Sequence, residues 1–289
     1  MSLKDSSLLK SNFEITNEDI EFYKLFKVPV SNYCPTCRRI RRFAQLGFLK
    51  FFKRPCDAPG HDEQMISAFP AESPFKVYDY KYFGSDEFDA SDLGRDYMDG
   101  ISPMDQLFSL RKDAPMPSFL NRESTSINSD YSSGGRNTKN CYYTSGVFSS
   151  EDVSYSNLVH KSKDVFDSRS IRECDSIYDV LEGENLYKVI SGYYSSSCSD
   201  CTLIFDCRNC MDCFGCVNLR NKSNCWFNEQ LSKEEYKKRM QEFVWNHENI
   251  EKAKKDVKNL SLTLPKKYYH GSNNMNFSGD YLENVANTS

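Results

Sequence analysis

The chain has 289 residues, of which 39% are hydrophobic and 14% aromatic. This composition supplies enough apolar surface for packed cores and excludes a wholly disordered chain. The formal net charge is −4, but residues 1–60 carry 11 Lys and Arg against 6 Asp and Glu, whereas residues 61–130 carry 6 against 14. A basic head followed by an acidic segment predicts either a nucleic-acid contact or an attraction between the two segments.

The first 30 residues contain no long apolar run, so we expect neither a secretory signal nor a membrane span. Without a signal, the 12 cysteines of so long a chain favour reduced thiols and metal binding over disulfides. We therefore expect a cytoplasmic protein.

A structural zinc site is predicted in the head. Cys34 and Cys37 form a Cys-x2-Cys knuckle that brings two thiolates within reach of one ion, and Cys56 and His61 follow. Three sulfurs and one imidazole suit tetrahedral Zn²⁺, and four protein ligands leave no position for a catalytic water. Asp57 could replace His61 as a ligand, and four unrelated reduced residues are the alternative hypothesis.

Cationic and aromatic residues alternate around the predicted zinc ligands. The cationic candidates for partner binding are Arg38, Arg39, Arg41, Arg42, Lys53 and Arg54. Zinc modules of this composition often hold phosphate backbones. A solvated basic face, or a docking surface for the acidic segment, explains the same residues. Residues 63–128 have no clean period, contain several prolines, and are predicted to wrap irregularly over other parts of the chain.

A twelve-residue period runs from about Asn140 to Leu231. Every twelfth position there holds a compact apolar residue: Cys141, Val153, Val165, Ile177, Val189, Cys201, Cys213 and Cys225. The preceding residue is usually polar and turn-prone, and small or apolar residues recur at every third position. The period is too short for helical repeats. It predicts a mainly β fold, a β-solenoid whose coils stack about 4.8 Å apart.

The length of one coil is either twelve or twenty-four residues. With twelve, Asp152 would stack on Asp164 and Asp200 on Asp212, and like charges at neighbouring-strand distance repel each other. With twenty-four, no two carboxylates in these columns are adjacent. The preferred hypothesis is therefore about four coils, each made of two twelve-residue rungs.

The most conspicuous motif of the ladder is Cys207, Cys210, Cys213 and Cys216, which has the spacing of an iron–sulfur or second zinc site. Each of these cysteines falls in a column that other rungs fill with Val, Ile or Leu. A buried reduced Cys behaves as a small hydrophobic residue. We therefore predict that these cysteines belong to the core.

An aromatic stripe follows the ladder one position past the core column. Its rings are Tyr142, Phe166, Tyr178, Phe214 and Trp226. Adjacent residues of a strand point to opposite faces, so these rings should lie outside the core. Either another part of the chain or a second copy covers them, or they form a stacking platform for a sugar, a nucleic acid or a partner protein.

An amphipathic helix is predicted after the ladder. Ser232 to Glu235 has the pattern of a capping box, and apolar residues then recur at helical spacing to about Asn259. Such a helix would cover the exposed strand edge of a solenoid. The predicted segments are 1–62 (helix and zinc-binding basic module), 63–128 (acidic wrap), 129–231 (β-solenoid), 232–260 (capping helix) and 261–289 (tail, with the start of a further ladder).

The chain resembles an uncharacterised Cys-rich repeat family that carries an N-terminal CPxCR zinc-knuckle module and is common in small-genome candidate-phylum bacteria. The resemblance is carried by Phe13-Glu14-Ile15-Thr16, Asp19-Ile20-Glu21-Phe22-Tyr23-Lys24, Cys34-Pro35-Thr36-Cys37-Arg38 with Arg41-Arg42, Cys56-Asp57, Gly94-Arg95-Asp96-Tyr97, Asp212-Cys213-Phe214-Gly215-Cys216-Val217-Asn218-Leu219-Arg220-Asn221-Lys222 and Ser232-Lys233-Glu234-Glu235-Tyr236. It covers nearly the whole chain. It implies an architecture but no known activity.

No catalytic constellation stands out in the sequence. Only four histidines occur, one of them assigned to zinc, and the carboxylates Asp167 and Asp179 have surface and turn roles that explain them equally well. We therefore expect a non-enzymatic zinc-binding scaffold that contacts other proteins or its own copies. The alternatives are a nucleic-acid-associated zinc protein that uses the Arg-rich head, and a β-helix protein that acts on carbohydrates.

Overall fold

The computed structural model describes residues 2–5, 12–25, 27–43, 50–121 and 125–288. The chain divides into two compact units, Met1–Phe119 and Leu120–Ser289. The predicted mainly β class is confirmed.

The first unit combines short strands with short helices. Its described strands are β1 (Ser2–Asp5), β2 (Asn12–Ile15), β3 (Phe52–Pro55), β4 (Gln64–Ser67), β5 (Val77–Tyr78) and β6 (Met116–Pro117). Its described helices are α1 (Asn17–Leu25), α2 (Pro35–Phe43), α3 (Tyr80–Phe83), a 3-10 helix (Ala90–Leu93) and α4 (Pro103–Asp113). Strands β1 and β2 pair antiparallel, as do β3 and β4, whereas β5 and β6 pair in parallel.

Local capping explains where the helices of this unit begin. The Thr16 N–H donates to the Asp19 carboxylate at 2.9 Å, and the Asp19 N–H donates to Thr16 Oγ1 at 3.1 Å, which closes the first turn of α1. Helix α4 lies in the segment predicted to be irregular. Its start has a recognisable signal, because Ser102 occupies the N-cap and Pro103 the first helical position.

The head and the acidic segment share one hydrophobic core. Cys56, Ala58, Met65, Val77 and Tyr78 are buried together, and aromatic residues of the acidic segment pack around them. These aromatic residues are Phe69, Tyr82, Phe83 and Phe88. The acidic segment therefore folds onto the head through apolar contacts.

The second unit contains a sheet of thirteen strands within residues 126–230, which we call the ladder. Its strands are β7 (Ser126–Ile127), β8 (Tyr131–Ser133), β9 (Arg136–Lys139), β10 (Tyr142–Ser154), β11 (Asn157–His160), β12 (Lys163–Phe166), β13 (Arg169–Arg172), β14 (Asp175–Glu184), β15 (Tyr187–Ser196), β16 (Ser199–Phe205), β17 (Met211–Phe214), β18 (Ser223–Trp226) and β19 (Glu229–Gln230). All pairs are parallel except the last, in which β19 turns back on β18.

The pairing register of the ladder is twelve residues. Val153 faces Val165, Val165 faces Ile177, and Ile177 faces Val189. Strand β10 pairs with β11 through its first half and with β12 through its second half, and β14 also pairs with β12, so the path of pairing closes on itself. The preference for a twenty-four-residue coil is therefore wrong.

Screening by solvent explains why the repulsion between stacked aspartates does not prevent a twelve-residue coil. Asp164 and Asp200 are exposed, and Asp152 and Asp212 are half-buried, so water and salt screen their repulsion. A polar neighbour also helps, because the Asn140 side-chain amide donates to Asp152 at 2.8 Å. The repulsion is smaller than the gain from stacking one core residue on the next in every coil.

Every third residue of the ladder turns the chain through a left-handed backbone conformation. From Asn137 to Asn224, the non-glycine residues at these positions have φ between 47° and 59°. From Thr138 to Leu219, the residue after each turn is buried or half-buried, so each twelve-residue repeat has four corners and four short sides. Asn and Asp tolerate this conformation better than other residues. For the rest it costs about 1–2 kcal/mol each, which packing and hydrogen bonds inside the ladder have to offset.

Inward-facing Ser and Cys side chains connect one coil to the next. The Ser168 hydroxyl accepts the Val180 N–H at 3.0 Å and donates to the Phe166 carbonyl at 2.8 Å. Cys174 makes the same two contacts through sulfur, with the N–H twelve residues ahead at 3.4 Å and the carbonyl two residues behind at 3.1 Å. Hydroxyl and thiol are therefore interchangeable corner groups that satisfy buried backbone atoms.

The helical segment after the ladder is split into α5 (Lys233–Glu242) and α6 (His247–Thr263). The predicted capping box is present, with Ser232 and Glu235 bonded reciprocally. The single long helix that we expected is interrupted because Asn246 caps a second start, accepting the Asn249 N–H at 2.8 Å.

The tail repeats the backbone pattern of the ladder. Strands β20 (Gly271–Ser272) and β22 (Leu282–Glu283) pair in parallel, as do β21 (Met275–Phe277) and β23 (Ala286–Thr288), with a register of eleven residues. Left-handed asparagines again form stacked pairs: the side-chain amides of Asn273 and Asn284, and of Asn276 and Asn287, are 3.2 Å apart.

Replacing Ser168 by Ala is expected to destabilise the ladder by about 1–3 kcal/mol, because the Val180 N–H and the Phe166 carbonyl would lose a buried partner. Ser168→Cys keeps a donor and an acceptor and should cost less than half as much. Urea unfolding followed by tryptophan fluorescence measures both, since Trp226 and Trp245 both lie in the second unit. Equal stability of wild type and the Ala variant would contradict the proposed role of the hydroxyl.

Candidate functional site

One side of the ladder carries a continuous exposed row of large apolar side chains, which we call the open stripe. Its members are Tyr131, Tyr142, Tyr143, Tyr155, Phe166, Tyr178 and Ile190, each between 39% and 49% exposed. Tyr142, Phe166 and Tyr178 come from the predicted stripe. They project outward because each directly follows a buried core residue, which is Cys141, Val165 or Ile177.

Neighbouring rings of the open stripe touch from coil to coil. Tyr131 and Tyr142 have ring centroids 5.4 Å apart, Tyr142 and Tyr155 5.6 Å, Tyr155 and Phe166 5.3 Å, and Phe166 and Tyr178 6.1 Å. In the coil between Tyr142 and Phe166, the predicted stripe position is Ser154, and the adjacent Tyr155 provides the ring that contacts both neighbours. The result is a ridge of rings that support one another.

Sequence reasoning misses Tyr131, Tyr143 and Tyr155. Tyr143 and Tyr155 are twelve residues apart, and each is the left-handed residue directly after a position of the predicted stripe. Their spacing in the sequence could have revealed this second aromatic column. Tyr131 lies in the first coil, where the register with Tyr142 is eleven residues, one short of the period.

The C-terminal part of the same side is covered by the two helices. Phe214 is fully buried and stacks on Trp226, with centroids 4.3 Å apart and an angle of 11° between the ring planes. Phe243, from the break between the helices, packs on Phe214 at 4.9 Å, and Tyr236 and Ala253 complete the cluster. The predicted stripe is therefore divided into a covered half, at Phe214 and Trp226, and an open half.

A carboxylate marks the border between the two halves. Asp179 accepts hydrogen bonds from the Ser191 hydroxyl at 2.7 Å and the Tyr193 hydroxyl at 3.2 Å, and Lys254 of α6 lies 3.7 Å away. Burial, followed by the Asp179 charge, raises the pKa of Tyr193 to about 12. Asp167 occupies the same column one coil earlier and is exposed.

A groove of about 830 Å³ lies on another side of the ladder. It is crossed by two ion pairs between successive coils, Lys139–Glu151 at 2.9 Å and Lys161–Glu173 at 3.3 Å. Both pairs are largely exposed, so each contributes little to stability. Because its charges neutralise one another, the groove offers a charged ligand no net attraction.

The ladder cysteines belong to the hydrophobic core. All nine are buried thiols, and Cys207, Cys210, Cys213 and Cys216 lie in one cluster with the Val and Ile columns. Each of the four donates to the carbonyl two residues before it, at 3.3 to 3.6 Å. In the part of the chain that the structure describes, no three Cys, His, Asp or Glu side chains form a group that could hold a metal ion.

The predicted zinc ligands are only partly brought together. Cys34 and Cys37 are buried at the start of α2, with sulfurs 3.2 Å apart. The Cys56 sulfur instead accepts the Asp79 N–H at 3.2 Å. His61 Nδ1 lies 2.9 Å from Glu63, and its ring packs on Tyr82. The pair at Cys34 and Cys37 suits two positions of a tetrahedral ion.

The basic residues of the head have different environments. Arg38 donates to the Tyr23 hydroxyl at 3.3 Å, and Lys53 is exposed. Arg54 is only 3% exposed; its guanidinium lies 2.6 Å from the Asp57 carboxylate and 2.8 Å from the Pro70 carbonyl, so it supports the fold and does not face a partner. Arg39, Arg41 and Arg42 lie on α2, and their side chains are outside the described part of the structure.

Comparisons with known proteins do not supply a family. Comparing the chain with family models, with curated proteins and with solved structures found no match. The resemblance to a zinc-knuckle repeat family therefore stays a prediction. Among the described helices, none has the length and apolar character needed to cross a membrane.

The stability of the ladder is expected to fall as pH rises from about 9 to about 11. Burial raises the pKa of the Cys174 thiol from 9.0 to about 11, and that of Cys225 likewise. The folded state therefore favours the neutral thiol, and its advantage is complete below the unfolded pKa and lost as pH rises through the folded one. Urea unfolding across this range should show a shallower decline in Cys174→Ser, because a hydroxyl does not ionise there. An equal decline in both proteins would contradict a buried neutral thiol.

Metal analysis of the purified chain is expected to find one zinc and no iron. Cys34→Ser should abolish the zinc, because it removes one of the two adjacent sulfurs, whereas Cys210→Ser should retain it, since that thiol serves the core. Circular dichroism checks that both variants are folded. Two metal ions per chain, or any iron, would overturn the assignment of the ladder cysteines to the core.

Proposed function

We propose that this chain is a zinc-binding β-solenoid scaffold that binds proteins through the aromatic side of its ladder. The observation that carries the proposal is the open stripe: seven large apolar side chains, each between 39% and 49% exposed, aligned on one side of a repeating framework. Contiguous apolar surface of this kind is rare on a soluble protein unless it binds something.

The solenoid interpretation is supported by three features. Strands pair in parallel with a twelve-residue register, left-handed corners recur at every third residue, and the residue after each corner faces a common interior. Stacked coils of this type present the same side chain position at regular intervals of about 4.8 Å. A ligand that contacts several coils at once therefore meets a preformed surface and pays little ordering cost.

The scaffold role is favoured over a carbohydrate-cleaving one. A pair of free carboxylates would be needed for hydrolysis of a glycosidic bond. Asp179 accepts hydrogen bonds from two hydroxyls and lies close to Lys254. It is therefore not a free carboxylate that could act together with Asp167 of the adjacent coil. These contacts suit a carboxylate that fixes the position of α6.

The zinc site in the head is proposed to be structural. Cys34 and Cys37 would supply two sulfurs, and Cys56 and His61 are the sequence candidates for the remaining positions. The bound ion would hold the start of α2 in place. The head would then act as a folded module distinct from the ladder unit.

A photo-crosslinking amino acid tests the proposal when placed at Phe166 on the open stripe or at Phe148 on a different side. The two positions are matched, because both hold Phe in a ladder strand and both are 43% exposed. In cells that express the chain, position 166 is expected to give discrete protein adducts, or dimers of the chain, and position 148 is not. Equal adducts at both positions, or adducts to nucleic acid at position 166, would show that the stripe is not a protein-binding surface.

A further inference from the structure

We propose that the open stripe binds an amphipathic α-helix of a partner protein, with lysines flanking the apolar face of that helix. This inference rests on the proposed function and specifies the chemistry of the partner. It is drawn from the interface that the chain already makes with its own helices, from the charges beside the stripe, and from the arrangement of the rings.

The open stripe is continuous with an interface that the chain already makes. Tyr178, Ile190, Thr202, Phe214 and Trp226 are successive register partners on one side of the ladder. At its C-terminal end this side is covered by α5 and α6, whose Tyr236 and Ala253 are buried against Phe214. The open stripe is the uninterrupted continuation of a surface that already accepts amphipathic helices.

Acidic side chains lie on both flanks of the open stripe. The corner columns on both flanks of the open stripe carry Asp152 and Asp164 on one side and Asp167 and Asp179 on the other. The described cation in these columns, Lys188, lies over the Tyr187 ring at 4.9 Å, and that ring belongs to the next side of the ladder. An acidic border attracts a cationic partner and repels phosphate.

The chain itself shows how a lysine uses this border. Lys254 of α6 approaches Asp179 to 3.7 Å while Ala253, the preceding residue, is buried against the ladder. A second helix on the open stripe could place a lysine beside Asp167 in the same way, because Asp167 and Asp179 occupy the same column in adjacent coils.

Neighbouring rings in the middle of the open stripe are steeply inclined to one another. The planes of Tyr142 and Tyr155 meet at 82°, and those of Tyr155 and Phe166 at 66°. Between Tyr142 and Phe166, edge-to-face packing therefore makes a ridged surface, whereas the planes of Phe166 and Tyr178 meet at 32°. Side chains of a helix fit between such ridges, whereas stacked bases need exposed ring faces.

The length of the open stripe also suits a helix. Tyr131 and Ile190 are separated by five coil steps. At about 4.8 Å per step this is about 24 Å, the length of a helix of about 16 residues. Helix α6 has 17 residues, so the partner helix is of ordinary size.

Two designed helical peptides test the inference with the full chain. Both have the same apolar face, and one carries lysines beside that face where the other carries glutamates. By fluorescence anisotropy, the lysine peptide is expected to bind at least tenfold more tightly than the glutamate peptide. Phe166→Ser should weaken its binding at least tenfold, and the matched control Phe148→Ser should leave it unchanged. Asp167→Asn should reduce the preference for lysine.

Other probes distinguish this inference from the proposed function. Equal affinity for the two peptides, or tighter Phe166-dependent binding of a thymidine oligonucleotide or a soluble glucan, would overturn the helix assignment. If the peptides fail while position 166 still cross-links to protein, the scaffold proposal stands and only the helix is wrong. If neither peptide binds and position 166 gives no protein adduct, both proposals fall.

Discussion

The hydrogen bonds of an inward hydroxyl or thiol hold successive coils of the ladder together. Ser162, Ser168 and Cys174 each accept an N–H from the next coil and donate to a carbonyl of their own coil. For Ser168 the two distances are 3.0 and 2.8 Å. Without these contacts, the tight corners would leave buried backbone groups without partners. The left-handed corners, the parallel register and the outward row of rings all depend on this interior.

Much of the ladder could be predicted from the sequence, because one buried residue in every three leaves a visible period. The core columns and the burial of Cys207 to Cys216 within them follow from that period. The coil length does not follow from the period. The sequence shows that Asp152 and Asp164 carry like charges, but it does not show how far water screens them. The break between α5 and α6 was marked by Asn246, an N-cap residue, but the apolar pattern on both sides concealed it.

The candidate surface was harder to predict than the fold. The stripe column identifies Tyr142, Phe166 and Tyr178, but the same column contains Phe214 and Trp226, which the helices cover. Which rings stay exposed depends on where α5 and α6 pack. The twelve-residue period of the ladder does not predict that position. In the head, the spacing of Cys34 and Cys37 predicts their proximity because the pair is local. The positions of Cys56 and His61 depend on tertiary packing.

The corner at every third residue has a consequence for how such a chain can change. Inserting or deleting twelve residues adds or removes one whole coil and leaves every other side chain on its original side of the ladder. Three residues would instead move everything downstream by one side, placing charged positions where rings had been. The length of the aromatic surface can therefore change by whole coils, whereas a shorter insertion disrupts the surface. Duplication of whole coils is therefore the natural way for this architecture to change the length of its aromatic surface.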